Sequence, residues 1–172
     1  MDEIFKRGTC RHFKELTPVA KEDLLTLVKA GMQARACGNQ EAREFIIVTR
    51  DDLVKAISHN SLVAGSARKA SAAIVIVGKK ENISFPEEWS FDCAAAAENI
   101  LIEAEHLGLG SIWLQVYPYA DRKAHLLNIL DIPAEMEPFC IIAIGYAERK
   151  PVRMNRYNER IIYNDLYGSR KK

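Results

Sequence analysis

Two short stretches carry side chains able to hold a charged, heterocyclic ligand. The first is Lys6-Arg7-Gly8-Thr9-Cys10-Arg11-His12-Phe13, where two guanidiniums and a hydroxyl alternate along the chain. In extended backbone Arg7, Thr9 and Arg11 fall on one side, where forked N–H donors and a hydroxyl can meet phosphate oxygens bidentately. Taken alone, a solvated charged arm accounts for this run better. The second stretch is Ala34-Arg35-Ala36-Cys37-Gly38-Asn39-Gln40, a helix end passing through the turn dipeptide Gly38-Asn39 into a β-branched run. An amide side chain there offers a donor and an acceptor, which suits a heterocycle edge with alternating N–H and C=O groups. Simple turn chemistry explains Asn39 equally well.

Other chemistries find less support. Gly108-Leu109-Gly110 follows a helix and precedes a strand, the reverse of a dinucleotide fingerprint, and Trp113 holds the place of the third glycine. There is no Gly-Lys-Ser/Thr phosphate loop and no Gly-x-Ser-x-Gly elbow. Glu103 and His106 have the Glu-x-x-His spacing of carboxylate-bridged metal bundles, but His12, His59 and His125 supply no second copy. Cys10, Cys37, Cys93 and Cys140 lie far apart, so buried reduced thiols are expected rather than zinc or redox pairs.

The elements that must position these residues can be read from periodicity. Leu24, Leu27, Val28 and Met32 make a helical stripe, predicting a helix over 18–34 with Thr17-Pro18 as cap and first residue. Phe45-Ile46-Ile47-Val48-Thr49 predicts a strand, and Asp51 is placed to cap a helix carrying Leu53, Val54 and Ile57. Residues 72–77, apolar on both faces, predict a central strand ended by Gly78-Lys79-Lys80. A helix over 92–107 carries Ala97, Leu101, Ala104 and Leu107, stops at Gly108, and leads into a short strand at 111–114. A helix over 121–130, broken at Pro133, and a buried strand at 139–144 follow. From about residue 147 to 172 the chain becomes a polar, basic tail with a β-like triplet, Ile161-Ile162-Tyr163.

A chain of 172 residues that is 48% hydrophobic, 27% charged and 8% aromatic fits a single globular domain with a sizeable core. Twenty-four Lys and Arg against 23 Asp and Glu give a net charge of +1, so no global field attracts nucleic acid or an anionic membrane. With no signal-like or membrane-length apolar run, a cytoplasmic protein is expected.

Taken in order, four stretches resemble the nitroreductase family in its short, single-domain form. They are Lys6 to Phe13; Ala34 to Thr49; Asp92-Cys93-Ala94-Ala95-Ala96-Ala97-Glu98-Asn99 through Gly108-Leu109-Gly110-Ser111 to Tyr117-Pro118; and Gly145-Tyr146 with the basic tail. The resemblance implies an α+β fold, a central mixed sheet flanked by helices, in an obligate homodimer whose tails cross to the partner. It implies flavin mononucleotide (FMN) at two equivalent interface sites, with NAD(P)H as donor and nitroaromatics, quinones or similar small molecules as acceptors in a ping-pong cycle. Nucleic acid and membrane are not among the implied partners. Matched residue by residue, Arg7, Thr9 and Arg156 fall at the phosphate, with Gly8 offering only backbone. Arg11 falls beside the flavin N1/O2 edge, where a fixed positive charge stabilises the reduced cofactor. Asn39 and the Cys37 backbone meet the flavin from the other subunit, the Asp92 helix packs its small residues against that subunit, and the backbone amides of Gln115 and Val116 face N5 and O4. No side chain is required as a general base, because the flavin performs the electron transfer.

The chain also departs from the family pattern. Arg35-Ala36 stands for Pro-Ser, Ala42-Arg43 for Pro-Trp, Glu41 for Gln, Gly8 for a second basic residue and Gln115 for Gly. Each lost polar contact is worth on the order of 0.5–3 kcal/mol, which predicts weaker FMN binding than in relatives. An FMN-binding module without efficient turnover is the alternative these changes raise.

Overall fold

The computed structural model describes residues 2–15, 17–59 and 67–169. Helix α1 (Glu3–Lys6) precedes α2 (Lys21–Met32), a 3-10 turn (Cys37–Asn39), strand β1 (Arg43–Val48), α3 (Asp51–Ile57) and β2 (Ala72–Lys79). Then come α4 (Trp89–His106), β3 (Gly110–Gln115), α5 (Ala120–Ile129), β4 (Met136–Gly145) and a 3-10 turn (Glu159–Ile161). The four strands form one sheet in the order β1-β2-β4-β3, with every strand pair antiparallel. The sheet expected to be mixed is thus antiparallel; the N-terminal arm adds only an isolated parallel bridge, Thr9 to Ser111 of β3.

β2 and β4 are central and apolar on both faces because both faces are covered. Ile74, Ile76, Ile142 and Ile144 face α2 and α4, packing with Leu24, Leu27, Ala97 and Ile100. Their neighbours Val75, Val77, Ile141 and Ala143 point the other way, toward Val54 and Ile57 of α3 and Leu126 of α5. Pro138, which cannot donate to a ladder, sits opposite Val77 where the β2–β4 register shifts. β2 ends at Lys79, within the expected Gly78-Lys79-Lys80, and Gly78 is needed there because an added Cβ would collide with the Trp89 ring.

Several predicted boundaries move. α2 begins at Lys21 rather than Pro18: the Thr17 carbonyl accepts the Ser71 hydroxyl at 2.5 Å and Val19 is buried, so this segment is tied to the sheet before the helix starts. Asp51 is the first residue of α3, not its cap, and its carboxylate pairs with Lys55 one turn on. The alanines of α4 serve this chain's own core. Ala96, Ala97 and Ala104 are fully buried, and α2 comes close enough that a Cβ on Gly31 would meet Ile100 at 2.9 Å. The expectation that Ala97 and its neighbours face a second subunit is corrected accordingly. Ile161-Ile162-Tyr163 forms no strand within the chain: Ile161 closes the 3-10 turn and Ile162 follows it in extended backbone. Residues 170–172 of the expected tail lie outside the described residues.

Candidate functional site

The edge strand β3 fixes the position of the N-terminal arm. Beside the Thr9–Ser111 bridge, the Cys10 N–H donates to the Ser111 carbonyl at 2.9 Å, and the Cys10 and Phe13 side chains turn into the core. Phe13 then bridges Ala147, with Lys14 N–H to Tyr146 carbonyl at 2.8 Å and Glu148 N–H to His12 carbonyl at 2.9 Å. The arm is thus held between β3 and the start of the tail. Arg11 and His12, one on from the inward Cys10, are left exposed.

A groove of about 1150 Å³ opens between arm and tail. Arg7, Gly8, Thr9 and Arg11 line one wall and Arg153 and Arg156 the other. Among the described residues, the single carboxylate on its lining is Glu98 of α4, and Arg7 Nε lies 3.0 Å from Glu98 Oε1 as an ion pair off the N–H direction, without a hydrogen bond. Gly8 is where the tail crosses: a Cβ there would stand 2.6 Å from Pro151 Cβ and 3.1 Å from the Val152 carbonyl oxygen. The larger residue that the family carries at this position has no room in this chain. Donors outnumber acceptors on the walls, so the groove suits a phosphorylated ligand rather than a cation. A flavin nucleotide fits that donor set, and exposed Phe5, Met154 and Tyr157 supply apolar lining.

The other expected residues lie elsewhere in the chain. Cys37 and Asn39 belong to the turn between α2 and β1, outside the groove lining, where Gly38 and Asn39 both adopt left-handed backbone at φ 55° and 54°. The Cys37 N–H donates to Asp92 Oδ1 at 2.9 Å, and Gln40 Nε2 donates to Asp92 Oδ2 at 2.9 Å. Phe85 covers Gly38, so a Cβ at that glycine would run into the Phe85 ring. Gln115 ends β3, with its side chain donating to the Tyr117 carbonyl at 2.6 Å. Val116, the next residue, is fully buried and its N–H donates to the Phe139 carbonyl at 3.3 Å. The Arg43 guanidinium donates through Nη2 to the carbonyls of Ala34 at 2.6 Å and Met32 at 3.3 Å.

Sequence reasoning missed Asp92 and Gln40 as determinants of the turn, and Glu98 and Pro151 as parts of the groove. Asp92 reaches the turn across 55 residues of chain, a distance at which spacing carries no signal. The close approach at Gly8 had a trace in the sequence, a glycine amid cations, but its cause is in the tail.

The fold is shared with solved proteins. A provisionally named NADH oxidase of Clostridium acetobutylicum superposes with a TM-score of 0.92 at 35% identity, covering 96% of this chain and 100% of the other. An FMN-dependent nitroreductase of Clostridium difficile superposes with a TM-score of 0.87 at 26% identity, covering 97% and 100%. In sequence, a provisionally named NADH dehydrogenase/NAD(P)H nitroreductase of Archaeoglobus fulgidus is 35% identical over 144 residues, 83% of this chain and 82% of the relative. The family model for nitroreductases matches residues 4–146, from the arm that lines the groove through the last strand of the sheet. With arm, turn and sheet all inside that match, the chain belongs to the nitroreductase family.

Proposed function

We propose that this nitroreductase-family oxidoreductase is a homodimer that binds FMN at two equivalent sites between its protomers and uses NAD(P)H to reduce nitroaromatics, quinones or similar electron-poor small molecules. The observation that carries the reading is the convergence of Arg7, Thr9, Arg11 and Arg156 on one groove whose lining, among the described residues, holds a single carboxylate. Two further features support a dimer. The tail leaves Val152, Tyr157, Ile161, Leu166 and Tyr167 each at least 70% exposed, an apolar surface that a lone chain does not cover. The groove and the Cys37–Asn39 turn, expected at one flavin, are separate in a single protomer, as a site shared by two copies requires.

When bound, FMN supplies the hydride and electron transfer that no side chain of the protein provides. Arg7, Thr9 and Arg156 hold the phosphate, and Gly8 lets the tail close over it. Arg11, assigned to the N1/O2 edge, holds a permanent positive charge where negative charge accumulates and so favours the reduced cofactor. Asn39 and the Cys37 backbone close the site from the second protomer, and Gln115 marks the end of β3 nearest the N5/O4 edge. One cleft serves donor and acceptor in turn, giving ping-pong kinetics in a cytoplasmic enzyme. FMN titration of Arg7→Ala and Arg11→Ala tests the assignment: loss of charge-assisted bonds worth about 1.5–3 kcal/mol weakens binding roughly 10- to 100-fold. Unchanged affinity in both variants overturns it.

A further inference from the structure

The turn expected to close the site from the second protomer is held from below by two polar clamps. At its near end the Arg43 guanidinium donates to the carbonyls of Met32 and Ala34, at the C-terminus of α2. At its far end Asp92, 4% exposed, accepts from the Cys37 N–H and from Gln40 Nε2, each at 2.9 Å. Gln40 in turn brackets Phe85, donating to its carbonyl at 3.2 Å and accepting its N–H at 2.9 Å. Between the two groups bonded to Asp92 lie Gly38 and Asn39 in left-handed backbone, the conformation that glycine and asparagine enter most readily.

We propose that Asp92, through Cys37 and Gln40, and Arg43, through the end of α2, are positioning residues that hold the 35–40 segment in its ligand-facing shape before cofactor arrives. A buried carboxylate that accepts two hydrogen bonds resists being moved, because an unmet charge in that place is costly. At Arg43 a single guanidinium nitrogen, Nη2, makes both bonds and ties β1 to the end of α2. The inference rests on the FMN reading for its purpose, but not for its structural part.

Amide hydrogen exchange on the cofactor-free protein, followed by FMN titration, tests it. Asp92→Asn turns one acceptor into a donor facing the Gln40 amide; the expected result is exchange at Cys37 faster by roughly tenfold and FMN binding weaker by about tenfold. Adding Gln40→Glu lets the side-chain amide introduced at position 92 accept from Cys37 and donate to the carboxylate introduced at position 40, but leaves the Phe85 carbonyl without its donor, so the double variant recovers Cys37 exchange and FMN binding in part. Gln40→Ala, a milder change, gives the same direction if Asp92→Asn does not fold. Unchanged Cys37 exchange in these variants overturns the proposal, as does faster exchange with unaltered FMN affinity, or a double variant no better than the single ones. Wild-type protein that takes up no FMN overturns the functional reading separately, while the exchange results still decide whether the clamp exists.

Discussion

At the scale of single residues, charge and space decide the outcome. Glu137 is 7% exposed and receives Lys80 at 2.5 Å and Lys123 at 2.9 Å. Burial pushes its carboxyl up, yet the two ammonium partners together outweigh burial and hold it below its ordinary value of 4.5. The stabilisation is therefore complete above that value and lost as pH falls through the lower, folded one. Glu137→Gln is expected to cost about 1–2 kcal/mol near neutrality, discounted for the half-exposed lysines, with the deficit shrinking in acid; denaturant melts at two pH values check this. At Gly8 the deciding quantity is space. Gly8→Ala sets a methyl against Pro151 and is expected to weaken FMN binding several-fold with little change in melting temperature. That Arg7, Thr9 and Arg11 line one groove was legible, because their alternation is a local signal. The bonds to Asp92 were not, because they join segments that only the finished fold brings together.

At the scale of elements, the strongest sequence signals were those set by burial on both faces. β2 and β4 stand where unbroken apolar runs placed them, and the Gly108 stop of α4 holds with φ at 72°. Signals that depended on a neighbour failed. Thr17-Pro18 has the chemistry of a helix start, but a hydrogen bond from Ser71 claims the Thr17 carbonyl. At Gly78 the strand end within 78–80 was legible but not the packing, because the glycine makes room for Trp89 from α4. Gly78→Ala is therefore expected to destabilise by about 1–3 kcal/mol through overpacking, measurable as a lowered denaturant midpoint. The cysteines sort by element too. Burial pushes the Cys93 thiol up to about 12 and raises Cys140 further from reactivity, and Cys10 is raised by burial as well. Cys37, half-buried on its turn, is expected to react with a thiol reagent well before the other three, as peptide mapping of labelled native protein will show.

At the scale of the whole molecule, a sheet covered on both faces coexists with a tail whose large apolar side chains face outward. In the proposed dimer, a second copy of the chain would cover that surface and complete the site. Removing the residues after 148 is expected to give monomer in sedimentation and to abolish FMN retention, since the tail contributes both Arg156 and the apolar surface. The fold was legible from sequence because a family-wide order of segments runs from the arm through the sheet. The proposed pairing of protomers has no local signal in the sequence, because exposure of the tail becomes visible only once the core is built. The most direct measurement is the visible spectrum of the purified, FMN-incubated protein. The account predicts a flavin spectrum at one FMN per chain that bleaches when NADH or NADPH is added without oxygen and returns with a quinone. A colourless protein that takes up no FMN would contradict it.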